Sequence, residues 1–142
     1  MIKISNLSLS IGETTILQNV NLSLPHYGLV SIVGDSGCGK TSLLNCISGL
    51  VKYDGEILFD NDYLNKMSEN EMAIFRLKNM GFVFQDFKLF DFISSRENIQ
   101  FPLDLFSNFS SEIKGRKCDD LLSLVGMSKQ DKKTIRKMSG GE

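Results

Sequence analysis

VGDSGCGKTS, Val33 to Ser42, joins an apolar run to a segment of helical periodicity. Within it Gly34, Gly39, Lys40 and Thr41 satisfy G-x-x-x-x-G-K-[ST], the phosphate-binding P-loop, in the strand-loop-helix setting that the motif requires. The chemistry follows from charge and space. A polyphosphate carries several negative charges, which the successive backbone N–H groups of the loop and the positive end of the following helix can receive. Glycine lets the backbone approach where a side chain would stand in the way. Lys40 is expected to reach the β- and γ-phosphates and the Thr41 hydroxyl to ligate Mg²⁺. Asp35, Ser36, Gly37, Cys38 and Ser42 complete the expected nucleotide contacts, and a bound nucleotide should shield the Cys38 thiol.

The flanks agree with this placement. Upstream, LVSIVG is a nearly continuous apolar run of the kind buried on both faces of a parallel sheet. Downstream, Leu43, Leu44, Ile47 and Leu50 recur at helical spacing, with Gly49 near the end. The N-terminal stretch alternates apolar and polar residues through Ile2 and Ile4, and NVNLSL puts Val20, Leu22 and Leu24 on one face before the Pro25 to Gly28 turn, a half-exposed antiparallel pattern. A third strand, GEILFD, follows Asp54-Gly55. From Ser68 the pattern becomes helical: Ser68 with Glu71 and Ser94 with Glu97 form capping boxes ahead of apolar-periodic residues. A last helix runs over about Ser111 to Val125, with Gly126 at its end. Between the boxes lies GFVFQDFKLFDF, Gly81 to Phe92, a strand-like run entering an aromatic loop. Phe82 and Phe84 are expected in the core, and Phe87, Leu89, Phe90 and Phe92 at a surface for a partner helix.

Bulk composition narrows the class. With 142 residues the chain is the size of one domain, and a formal charge of −1 argues against nucleic acid as a partner. Three cysteines, Cys38, Cys46 and Cys118, lack C-x-x-C spacing and suit a reducing cytoplasmic compartment. No apolar run is long enough to span a bilayer. The basic residues Lys129, Lys132, Lys133, Arg136 and Lys137 read as a solvated face.

A P-loop alone does not choose among kinases, GTPases and transport ATPases, but no guanine-reading N-K-x-D is present. Gln85 in GFVFQDF, followed later by MSGGE at Met138 to Glu142, makes the chain resemble the ATP-binding subunits of ABC transporters. LLNCISGLVKYDGEILFD and FRLKNMGFVFQDFKLFDFISSRENIQFPL resemble, within that family, the branch of lipoprotein release, macrolide efflux and bacteriocin export. The resemblance implies an α/β P-loop NTPase fold with an N-terminal antiparallel β region, a partial parallel-sheet core and a helical subdomain. It implies an incomplete ABC ATPase domain over 1–142, with the antiparallel β region and P-loop core in 1–67 and the Q-loop, helical subdomain and signature in 68–142. ATP and Mg²⁺ are the implied cofactors.

By the same resemblance Gln85 is the Q-loop glutamine, helping to hold Mg²⁺ and acting with Lys40 in catalysis. Ser139, Gly140 and Gly141 are signature residues that contact the γ-phosphate held by a second ATP-binding subunit in a dimer. Ile11 takes the place of the aromatic residue that stacks on adenine, so its base contact is expected to be weaker. Met138 and Glu142 replace Leu and Gln of the usual signature. The implied partner is an integral membrane permease, the implied function export, and the implied location the cytoplasmic face of the membrane. EILFDN mimics a Walker B strand, but Asn61 stands where the catalytic Glu would be, so this stretch is read as an antiparallel strand. His26 is read as a surface residue. The Walker B carboxylates and switch His follow the signature in the family and are absent from these residues, so the chain alone is expected not to hydrolyse ATP. The alternatives are a nucleotide-binding fragment without catalysis and another P-loop NTPase.

Overall fold

The computed structural model describes residues 1–106 and 109–139. They divide between two compact units, Met1–Gly81 and Phe82–Glu142.

The first unit is built on β1 (Ile2–Ile11), β2 (Thr14–Leu24), β3 (Asp54–Phe59) and β4 (Asp62–Tyr63), in the order β2-β1-β3-β4. Every ladder is antiparallel. The alternation in β1 puts Ile4, Leu7 and Leu9 on the covered face, opposite Leu22, Val20 and Leu17 of β2. A strict alternation would place Ile4 and Leu7 on opposite faces. A bulge at Asn6 (φ 51) corrects this, and Asn19 (φ 50) breaks β2 in the same way. Asparagine tolerates left-handed backbone, and here neighbouring side chains take up the freed donors: Asn6 N–H donates to Asn21 Oδ1 at 3.0 Å and Asn19 N–H to Ser8 Oγ at 3.0 Å. Gly55 (φ 101) crosses β1 so closely that a Cβ would lie 2.5 Å from the Asn6 carbonyl oxygen.

Two helices cover this face. In α1 (Lys40–Ile47), Cys46 and Ile47 are buried, and Gly49 (φ 63) turns the chain at the end. In α2 (Glu69–Asn79), Met72 and Phe75 enter the same core. The Ser68–Glu71 capping box opens α2, as the sequence spacing foretells. Phe75 packs edge-to-face on Phe59, and Arg76 Nη1 donates to the Gly49 carbonyl at 2.9 Å, tying α2 to the end of α1. The reading of EILFDN as an antiparallel strand holds, and Asp60 sits in the tight β3–β4 turn, paired with the Met1 ammonium.

Two expectations fail. The run 29–33 and the run 81–84 form no ladder among the described residues, and Leu29 is 96% exposed, Val33 86% and Val83 99%. Apolar continuity shows that a segment suits burial on two faces. It supplies no neighbouring strands, and the described ladders already pair β1 to β4 with one another. The parallel core expected there is therefore not formed among the described residues. Phe82 and Phe84 are not core residues either. They stay partly exposed and stack on each other, with centroids 5.6 Å apart.

The second unit carries α3 (Ser95–Phe106) and α4 (Ser111–Leu124). Ser94 and Glu97 form the expected box at α3, and Ser110 caps α4. Cys118 and Leu122 of α4 are buried, and Gly126 (φ 73) follows its end. No described helix is long and apolar enough to cross a membrane.

Candidate nucleotide-binding site

The P-loop closes on itself in the first unit. Gly34, Gly37 and Gly39 all have positive φ, at 153°, 82° and 94°, and Gly39 hands the chain into α1. The space matches the conformation. A Cβ on Gly34 would lie 2.8 Å from Cys38 Sγ, and one on Gly39 would lie 2.9 Å from Leu17 Cδ2 and 3.2 Å from the Ile16 carbonyl oxygen. The loop thus lies directly against β2, and glycine at 39 is required by both shape and backbone.

Lys40, the first residue of α1, folds back over the loop. Its ammonium donates to the Gly34 carbonyl at 2.9 Å and to the Asp35 carbonyl at 2.6 Å, with Cys38 Sγ at 3.7 Å. A cation is therefore fixed over the concavity, and α1 has no side-chain cap at its N-terminus. Helices α2 and α4, by contrast, have serine caps. Thr41 lies exposed in the first turn of α1, with Ser42 beside it. The set fits a polyphosphate: a helix N-terminus and an ammonium lie together at the loop, and no acidic residue occupies the first turn of α1. Asp35 and Ser36 are exposed in the loop. Ile11 ends β1 in this same unit, 64% exposed at the tip of the β1–β2 hairpin.

Gln85 and Ser139 belong to the second unit. Gln85 is exposed in a turn closed by Phe87 N–H donating to the Phe84 carbonyl at 3.1 Å, and Phe87 and Lys88 both take left-handed backbone. Lys88 pairs with Asp86 at 2.7 Å and holds the Asp86 carboxyl below its ordinary pKa. Ser139 follows a short 3₁₀ turn, Ile135–Lys137, and is exposed. Gly140, Gly141 and Glu142 lie outside the described residues.

Two residues that the motifs do not mark define the aromatic segment. Asn98 on α3 accepts from Phe90 N–H at 2.9 Å and donates to the Phe90 carbonyl at 3.0 Å, fixing that residue's backbone on both sides. Phe101, one turn further along α3, packs edge-to-face on Phe90 at 5.1 Å. Their spacing on α3 is the available signal, since positions three and four apart share a helix face. Phe87, Leu89, Phe90, Phe92 and Phe101 all keep substantial exposed surface.

The glycine-cradled loop, its lysine and the helix behind it define a P-loop on an α/β fold. Residues 17–142 match the ABC transporter family, and the chain belongs to that family. It is 34% identical over 143 residues to the methionine import ATP-binding protein MetN of Clostridioides difficile, covering 100% of this chain and 44% of MetN. It is 33% identical over 143 residues to the lipoprotein-releasing system ATP-binding protein LolD of Bacteroides thetaiotaomicron, covering 100% of this chain and 65% of LolD. Its fold superposes with a TM-score of 0.88 and 31% identity on the ATP-binding cassette MJ0796, solved as a dimer in a post-hydrolysis state bound to ADP and Pi, covering 99% of this chain and 64% of that one. The chain therefore spans less than two thirds of the length of each of these proteins.

Proposed function

We propose that this chain is the nucleotide-binding part of a transporter ATPase, which binds Mg²⁺-ATP through Gly34 to Ser42. The observation that carries the reading is the Lys40 ammonium held over the loop by two of its carbonyls, at the uncapped start of α1. When a nucleotide binds, its phosphates compete for that ammonium, and the loop N–H groups take up the remaining charge. Thr41 would hold Mg²⁺, which neutralises charge on the phosphates as phosphoryl transfer to water proceeds. Ile11 gives the base an apolar contact without a ring to stack on, so affinity is weak. Ser139, with Gly140 and Gly141, acts on the nucleotide of a second ATP-binding subunit. The 142 residues on their own bind nucleotide without turning it over.

The protein works at the cytoplasmic face of a membrane, coupled to a permease. The aromatic surface of Phe87, Phe90 and Phe101 suits a short permease helix, because it presents an apolar patch whose central residue Asn98 holds rigidly. Export is the favoured direction, on the resemblance to the lipoprotein-release branch and the likeness to LolD. The comparable likeness to MetN makes a transport assay in vesicles of known orientation the measure of direction.

Titration of the chain with Mg²⁺-ATP in a calorimeter tests the site. Lys40→Ala removes charge-assisted hydrogen bonds worth about 1.5–3 kcal/mol, so binding should weaken by roughly one to two orders of magnitude. Equal affinity of the two proteins would overturn the reading.

A further inference from the structure

The apolar residues that lead into Ser139, Ile135 and Met138, are only half-buried. In the 3₁₀ turn Ile135–Lys137 no residue is buried. What locates them is a polar ribbon against the start of α3. Ser94 and Thr134 form an antiparallel bridge. Around it Ser95 N–H donates to the Lys133 carbonyl at 3.2 Å, Arg96 N–H to the Asp131 carbonyl at 3.1 Å, Ile135 N–H to the Ile93 carbonyl at 3.3 Å and Arg136 N–H to the Asp91 carbonyl at 3.2 Å. The first N–H groups of a helix have no partner within it. In α3 two of them are satisfied by residues 131 and 133.

One side chain joins this ribbon to the rest of the unit. Arg96 directs Nε to Asp131 Oδ2 at 3.3 Å and Nη2 to Asp119 Oδ1 on α4. The start of α3, the face of α4 and the root of the segment ending at Ser139 therefore meet at one guanidinium. A planar fork can serve two carboxylates in fixed directions, which a lysine ammonium on a flexible stem cannot. Both partners in the Arg96–Asp131 contact are largely enclosed, at 29% and 23% side-chain exposure, so water screens it less than the outer pairs of this unit. Arg116–Glu112 on α4, at 69% and 80%, is such an outer pair.

We infer that Arg96 is a positioning residue for the transport ATPase reaction: through Asp131 and Asp119 it sets where Ser139 is presented. This rests on the reading of Ser139 as a residue that acts on the partner subunit's nucleotide. Arg96 touches no nucleotide itself, so its loss should lower turnover and leave nucleotide affinity at the P-loop unchanged.

The test uses the full-length protein with its permease, measuring kcat for ATP and, separately, the Kd for nucleotide. Arg96→Met and Asp131→Asn should each lower kcat by about tenfold or more, with Kd unchanged. The double variant should fall no further than Arg96→Met, because that change already removes the contact with Asp131. Arg96→Lys should recover only part of kcat. Arg116→Met removes the same charge from the same unit without bridging anything, and should retain kcat. Asp131→Asn is nearly isosteric and serves if Arg96→Met fails to fold. Unchanged kcat in folded Arg96→Met or Asp131→Asn, an equal fall in Arg116→Met, or multiplying effects in the double variant would overturn the inference. Lys40→Ala run in parallel separates the two readings. If it weakens nucleotide binding as expected while Arg96→Met keeps full turnover, the positioning role alone is wrong. If it binds nucleotide normally, the P-loop reading itself fails.

Discussion

The two units of this chain are held together by different physics. In Met1–Gly81, side chains from three strands and two helices share one apolar core, in which Leu7 and Ile57 are fully buried and Met72 and Phe75 close the far side. In Phe82–Glu142, Cys118 and Leu122 are the buried apolar side chains among the described residues, and the buried polar ones are Ser94 and Ser95. There order comes from a capping box, an antiparallel bridge and the carboxylates around Arg96 and Arg136. A core of many weak contacts is insensitive to any one polar group, whereas a polar ribbon depends on each of its members. That difference suits a rigid P-loop in one unit and a more adjustable segment before Ser139 in the other.

The largest expected effect comes from cutting the core. Leu7 lies on the central strand β1, opposite Val20, with no exposed surface. Leu7→Ala should destabilise the first unit by about 2–5 kcal/mol through lost burial and the cavity left behind. Hydrogen exchange should show protection falling in β1, β2 and β3 while α4 keeps its own. Equal loss of protection in both units would mean that they unfold together, and the contrast between them would not stand.

The same contrast separates what the sequence discloses from what it does not. The β1–β2 hairpin, the Ser68 and Ser94 boxes, the end of α4 at Gly126 and the P-loop are all legible, because each depends on residues a few positions apart. The bulges at Asn6 and Asn19 are hidden, since they correct a register that only pairing defines. The runs 29–33 and 81–84 mislead for the reason already given: apolar continuity records a preference for burial and is silent on neighbours. Of the site, Lys40 and its glycines stand where the motif puts them, in one loop. Arg96 and Asn98 carry no motif, and their partners at Asp131 and Phe90 are brought to them by the fold.

A smaller effect should appear in the polar unit. Ser94 accepts from Glu97 N–H at 3.2 Å through its hydroxyl, and Glu97 accepts in return from the Ser94 N–H at 2.8 Å. Ser94→Ala should cost about 1 kcal/mol, within a range of roughly 0.5–2 for such caps. Because residues 131–136 lie against this turn, their exchange protection should fall along with that of α3. Ser110→Ala at α4 removes a single longer hydrogen bond, from Ile113 N–H at 3.4 Å, and should matter less. If the two substitutions proved equal and 131–136 kept its protection, the ribbon would not be the element that orders this segment.

Acid should produce the mildest and most selective change. Hydrogen bonds from the Ser94 hydroxyl and backbone hold the Glu97 carboxyl below its ordinary pKa, and the hydrogen bond and charge of Arg136 do the same for Asp91. A carboxyl whose pKa is lowered on folding stabilises the fold above its unfolded value, near 4, and that contribution fades as pH falls through the folded value. Between pH 7 and about pH 5 these two carboxyl contributions should stay complete. Below about pH 4, protonated Glu97 loses its charge-assisted hold on the start of α3, and protonated Asp91 releases Arg136. The first unit has lowered carboxyls too, Glu71 in its capping box and Asp60 at the chain start. Both sit on the periphery of an apolar core that does not titrate. Amide hydrogen exchange, corrected for its intrinsic pH dependence, should therefore lose protection first in 91–98 and 131–136, and only at lower pH in β1 to β3. Loss of the β-sheet protection at the same pH would mean that the core offers no such buffer.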